Sequence, residues 1–182
     1  MTFSRRAITA ATGCAAMLVM SVLPASAATT VVHDPRGDTL SPSADPPPDA
    51  GYDLTRIMFR NGPHRVAVKA HVFGLHLEPA AFILTLGPVS SSRRFFARTF
   101  LSRDGTRRTP QNVLVQPNAA PTRLPCRVRA AWRPVRTNTV SLSIPQSCLR
   151  AAAGPLRMRV VILKTRGTEI GDASRWIRLQ RG

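Results

Sequence analysis

Five of the nine carboxylates in this chain, Asp34, Asp38, Asp45, Asp49 and Asp53, fall within 20 residues of an otherwise basic sequence. Aspartates crowded together offer hard oxygen ligands, and calcium takes about six to eight of these, loosely enough for weak extracellular sites. Asp34, Asp38 and Asp53, at strand ends around one loop, are the candidate calcium ligands. No EF-hand spacing accompanies them. The competing reading is that short acidic side chains make Asx turns and pair with arginines. Like charges drawn together need a cation or an arginine between them, and with 26 Lys+Arg in the chain the arginine solution is the expected one. Arg36-Gly37-Asp38 spells a cell-adhesion tripeptide, but a Gly-Asp pair fits a tight turn equally well.

The second set of residues with chemical potential is cationic. Lys+Arg of 26 against Asp+Glu of 9 leaves a formal charge of +17 over 182 residues. Only Lys69 and Lys164 are lysines, so a coding preference for arginine contributes to that total. On alternating strands Arg56 and Arg60, Arg65 and Lys69, Arg127, Arg129 and Arg133, and Arg157 and Arg159 fall on outer faces. If those strands adjoin, they form a surface that attracts phosphate- or carboxylate-bearing polymers. Between Arg93 and Arg108 six arginines interleave with Phe95, Phe96 and Phe100. That pattern superficially matches a stacking platform for single-stranded nucleic acid. The expectation is an ordinary strand with phenylalanines in the core and arginines in water.

Catalytic signatures are missing. No GxSxG, HExxH, Walker loop or dinucleotide fingerprint occurs. The histidines, His33, His64, His71 and His76, have no paired ligand spacing, and Glu78 and Glu169 are the only glutamates. A glycosidase needs two opposed carboxylates, while here the aspartates gather in one loop. Trp132 and Trp176 are candidates to stack on sugars, although a tryptophan on an alternating strand is expected in the core.

The N-terminus reads as an export signal rather than as structure. Arg5 and Arg6 are followed by the uncharged, mostly apolar run Ala7 to Leu23, then Pro24 and the small residues Ala25-Ser26-Ala27, with cleavage expected after Ala27. Ser4-Arg5-Arg6-Ala7-Ile8 is compatible with either the general secretory or the twin-arginine route. The apolar run is marginal for a membrane span, and Cys14 lacks the large aliphatic residue that a lipoprotein acceptor site carries. A secreted, extracellular location makes nucleic acid an unexpected natural partner. It also makes Cys126 and Cys148 an expected disulfide, since oxidising compartments preserve them.

Around these residues the mature chain, 28–182, breaks into short alternating runs as one domain. Strands are expected at 30–33, 53–60, 65–73, 81–86, 94–101, 126–132, 139–144, 157–163 and 175–179, with a short one at 113–115. Val66, Val68, Ala70 and Val72 share one face of the third, and Arg65, Lys69 and His71 the other. Asn61-Gly62-Pro63 signals a hairpin through residues that tolerate positive φ. Residues 34–52 form a Pro- and Asp-rich loop, and 145–149 one helical turn presenting Cys148. Eight or nine short strands without intervening helices imply an all-β antiparallel sandwich or jelly roll.

The order Asp34-Pro35-Arg36-Gly37-Asp38, Tyr52-Asp53-Leu54-Thr55, Cys126…Trp132, Ile144-Pro145-Gln146-Ser147-Cys148-Leu149 and Trp176 resembles small secreted β-sandwich proteins of high-GC Gram-positive bacteria. More distantly the Asp-x-x-Gly-Asp opening is similar to carbohydrate-binding and DOMON-like modules, some of which hold calcium near that loop. The resemblance implies Asp34, Asp38 and Asp53 as metal positions. The chain departs from it in the long proline-filled insert before Asp53 and in lacking an aromatic sugar platform. The function expected is a non-catalytic extracellular module that binds an anionic cell-envelope or environmental polymer. The alternative is a structural or accessory protein acting through a protein partner, and a hydrolase is the remote third.

Overall fold

The computed structural model describes residues 27–38, 52–75, 80–101, 113–116, 122–149, 154–164 and 170–182. Residues 1–26 of the expected export signal, Cys14 among them, and Asp45, Asp49, the prolines at 46–48, His76, Glu78, Glu169 and the arginines at 103, 107 and 108 lie outside these.

Among the described residues twelve strands form two antiparallel sheets: β1 (Ala28–His33), β2 (Asp53–Asn61), β3 (Arg65–Phe73), β4 (Ala80–Pro88), β5 (Phe95–Leu101), β6 (Val113–Gln116), β7 (Thr122–Leu124), β8 (Arg129–Arg133), β9 (Thr139–Pro145), β10 (Leu156–Lys164), β11 (Ile170–Ala173) and β12 (Ile177–Leu179). The first sheet runs β1-β2-β3-β9-β8. The second runs β11-β10-β4-β5-β6-β7, with β12 pairing β10 beyond β11. The all-β antiparallel sandwich expected from the alternation is the fold observed. Period-two patterning requires each strand to bury alternate residues, and β3 does so: Val66, Val68, Ala70 and Val72 are buried, while Lys69 and His71 are exposed. Facing them from the second sheet are the wholly buried Phe82, Leu84 and Leu86 of β4 and Met158, Val160 and Ile162 of β10.

Several boundaries differ from the sequence expectation, each for a physical reason. The β2–β3 hairpin forms, closed by Gly62 N–H donating to Arg65 O at 3.0 Å. Its Asn61-Gly62 pair does not use positive φ; among the described residues that region holds Gly37, Gly74, Tyr52 and Asn138. Gly62 serves by close approach, since a Cβ there would come within 3.3 Å of Arg65 O across the turn.

The strand expected from Cys126 starts only at Arg129. Cys126 N–H bonds Leu124 O and Val128 N–H bonds Cys126 O, two successive tight turns. Those turns carry the chain from β7 in one sheet to β8 in the other. The last strand also begins later, at Ile177, and β11 precedes it. Buried Ser174 bridges the gap, with its N–H on Val160 O and its Oγ accepting from Val160 N–H.

In β5 the register Phe95, Ala97, Thr99 points inward, so Phe96 and Phe100 lie on the outer face with Arg98 between them. Only Phe95 enters the core, because alternation cannot bury neighbours in sequence on one face. A 3-10 turn, Gln146–Leu149, follows β9 and presents Cys148, which is bonded to Cys126 with Cα atoms 5.9 Å apart. Among the described residues no helix is long and apolar enough to cross a membrane.

Candidate functional site

The acidic loop and a strand far away in sequence meet at one end of the sandwich. Past His33, Asp34 N–H still bonds Thr55 O. Pro35 and Arg36 then turn the chain through Gly37, whose φ of +84° is one a side chain would resist. The Gly37 N–H donates to Asp53 Oδ2 at 2.9 Å, tying the turn to the start of β2. Tyr52 precedes Asp53 at φ 79°, an outlying conformation for a bulky residue, with its side chain buried. Asp172 arrives from β11 in register with core-facing Ile162, so its side chain also points between the sheets. There Asp172 Oδ2 accepts Leu54 N–H of β2 at 2.7 Å, and Oδ1 accepts Ala173 N–H at 2.6 Å.

One carboxylate oxygen from each of Asp38, Asp53 and Asp172 lies within 4.8 Å of the other two. At an effective dielectric of about 20, a pair of unit charges at this separation repels by roughly 3–4 kcal/mol. Burial, then the charges of Asp38 and Asp53, push Asp34 above the ordinary carboxylate pKa against the opposing charge of Arg175. Asp172 is pushed up to about 6, first by burial and then by Asp34 and Asp38, against the two backbone N–H groups that favour its anion.

Among the described residues the expected arginine neutralisation is partial: the charge of Arg175 acts on Asp34, but no arginine bonds the two unpartnered oxygens of the cluster. Asp53 Oδ1 and Asp34 Oδ2 are buried with no hydrogen-bond donor. Arg36, the closest arginine in sequence, instead lies over the Phe73 ring, 4.7 Å from its centroid. The outward alternation of the strands keeps most arginines on faces this inward-pointing cluster does not meet. Of the sequence candidates, Asp38 and Asp53 converge and Asp34 adjoins them electrostatically. Asp172 joins them without any signal in the sequence, since a single aspartate in a short strand carries none locally.

The basic residues separate into two groups. On the outer face of the first sheet, β-pairing aligns His33, Arg56, His71, Thr139 and Arg133 in one row across the strands. A second row is Val31, Met58, Lys69, Ser141 and Ala131, and a third is Thr29, Arg60, Ala67, Ser143 and Arg129. Arg56, Arg60, Lys69, Arg129 and Arg133 are exposed. Arg65 lies at the edge, half-buried, with Nε on Ser143 Oγ at 2.6 Å. With strands about 4.8 Å apart and residues about 3.3 Å apart along them, the four outer arginines mark a rectangle of roughly 13 by 14 Å. No carboxylate of these five strands faces that way; their one acid, Asp53, is buried.

Arg127 is exposed in the crossover before β8. Arg157 and Arg159 belong to the opposite sheet, half-buried and bonded to Ser91 O and Ser174 O. The outer-face expectation therefore divides between two opposed surfaces, because facing is local while sheet membership is not.

The aromatic candidates also separate. Trp132 is core, its Nε1–H on Thr99 Oγ1 at 3.0 Å and its ring edge-on to Phe82. Trp176 is 41% exposed beneath the Arg94 guanidinium, 5.6 Å from its centroid. Among the described residues, a cleft of about 370 Å³ beside the disulfide is lined by Arg93, Phe95, Leu124, Pro125, Cys126, Ser147 and Cys148, none of them a general base. No protein-family model matches the chain, and a search of the curated proteins finds no match.

Proposed function

We propose that this protein is a secreted, non-catalytic β-sandwich module that binds an anionic polymer of the cell envelope or its surroundings on the outer face of its five-stranded sheet. The observation that carries this reading is the array of Arg56, Arg60, Lys69, Arg129 and Arg133 on that face, whose five strands turn no carboxylate outward. Strand pairing fixes the spacing of the array, so its charges are held apart by the fold and their field adds over the surface. Ser141 and Ser143 between them supply hydroxyls at the same level. The apolar run and the Ala25-Ser26-Ala27 site support export, and the Cys126–Cys148 disulfide is of the kind that persists outside the cytosol.

The test is retention of the mature chain on immobilised anionic cell-wall polymers and glycans across a salt gradient. Binding should be strong at low ionic strength and fall as salt shortens the Debye length to a few ångströms. The triple variant R56E/R60E/K69E should elute far earlier than R98E/R123E/R178E, which changes the net charge equally on exposed arginines of the second sheet. Equal losses from the two variants would reduce the binding to net charge alone. No salt-sensitive retention on any anionic polymer would end the reading.

A further inference from the structure

We propose that Asp38, Asp53 and Asp172 bind a calcium ion at the end of the sandwich, where it joins the Asp34–Asp38 turn to strands of both sheets. Two oxygens on one calcium, each about 2.3–2.6 Å from the ion, are at most about 4.6–5.2 Å apart. The three carboxylates offer oxygens within 4.8 Å of one another, inside that span. An independent observation points to a ligand: Asp53 is only 2% exposed, yet its Oδ1 has no donor, while its Oδ2 is already held by Gly37 N–H. A buried ionised oxygen without a partner is unfavourable, and a cation resolves it as water-facing arginines do not. Asp34, with a second donorless buried oxygen, adds negative charge beside the site.

The donor set selects the ion. All three ligands are carboxylates, with neither histidine nor cysteine in the group, so hard cations are favoured over zinc or copper. Asp38 is exposed while Asp53 and Asp172 are buried, which leaves an open side for water ligands. Calcium accepts such an irregular, partly hydrated shell more readily than magnesium, which demands a near-ideal octahedron. The ion would neutralise charge where Asp172 crosses from the second sheet to Leu54 of the first.

The experiment uses the mature chain with calcium chloride as the probe, at constant ionic strength and against chelator. For a dissociation constant in the extracellular range of about 0.1–1 mM, 10 mM calcium should raise the melting temperature by roughly 4–8 °C. Terbium should show luminescence sensitised by Tyr52, adjacent to Asp53, and calcium should quench it by competition. Asp53→Asn and Asp38→Asn should each abolish both responses. In chelator Asp53→Asn should melt no lower than the parent, since it removes a repelling charge. Asp38 is exposed, so its variant tests the site without disturbing the core. A melting temperature indifferent to 10 mM calcium together with no terbium signal would overturn the site, as would a calcium response that survives in Asp53→Asn.

Discussion

Asp172 on β11 accepts the backbone N–H of Leu54 on β2 at 2.7 Å, across 118 residues of sequence and between the two sheets. This bond places a carboxylate where burial and the charges of Asp34 and Asp38 oppose its ionisation, and its pKa rises from 3.8 to about 6. The folded protein thus retains a proton that the unfolded chain releases between pH about 4 and 6. Stability from this group is present in full below the unfolded value and is lost as pH rises through about 6. In chelator, the melting temperature of the parent relative to Asp172→Asn should fall as pH is raised from 4 to 7. Parallel curves for the two proteins across that range would show that Asp172 does not titrate as described.

Another polar contact between the sheets is neutral. Trp132 Nε1–H of β8 meets Thr99 Oγ1 of β5 in the core. Thr99→Val keeps the shape and removes the acceptor, stranding a buried indole N–H at a cost of about 1–3 kcal/mol. The melting temperature should fall by roughly 3–10 °C, and Thr99→Ser, which retains the hydroxyl, should lose less. A valine variant that melts with the parent would mean that the indole finds another acceptor.

Closure of the Cys126–Cys148 loop, a sequence separation of 22, should contribute about 3 kcal/mol by restricting the unfolded chain. Denaturant titration of Cys126→Ser/Cys148→Ser should give a midpoint lowered accordingly and a steeper slope, because the unfolded chain without the crosslink exposes more surface. Non-reducing mass analysis of the exported protein should find it two hydrogens lighter than the dithiol. Two freely alkylatable thiols would contradict the bond.

Much of this protein is local and therefore legible in its residues. Alternation in Arg65–Phe73 determined which side of β3 is buried, because a strand has a period of two whatever its neighbours. The export of the chain is expected from residues 5–27, and two remaining cysteines admit one intramolecular pairing. The crowding of aspartates at Asp34, Asp38 and Asp53 marked the loop where the acidic site lies. What tertiary structure alone decided is which strands share a sheet and which ends of the chain meet. Arg157 and Arg159 alternate outward just as Arg56 and Arg60 do, yet lie on the opposite surface, because pairing with β4 rather than β3 is a non-local choice. Asp172 joins aspartates from the other end of the chain only because β11 pairs with β10 in a register that points it inward beside β2. Side-chain facing is set by the neighbouring residues in sequence, whereas a site assembled between sheets depends on hydrogen bonds and packing among segments far apart.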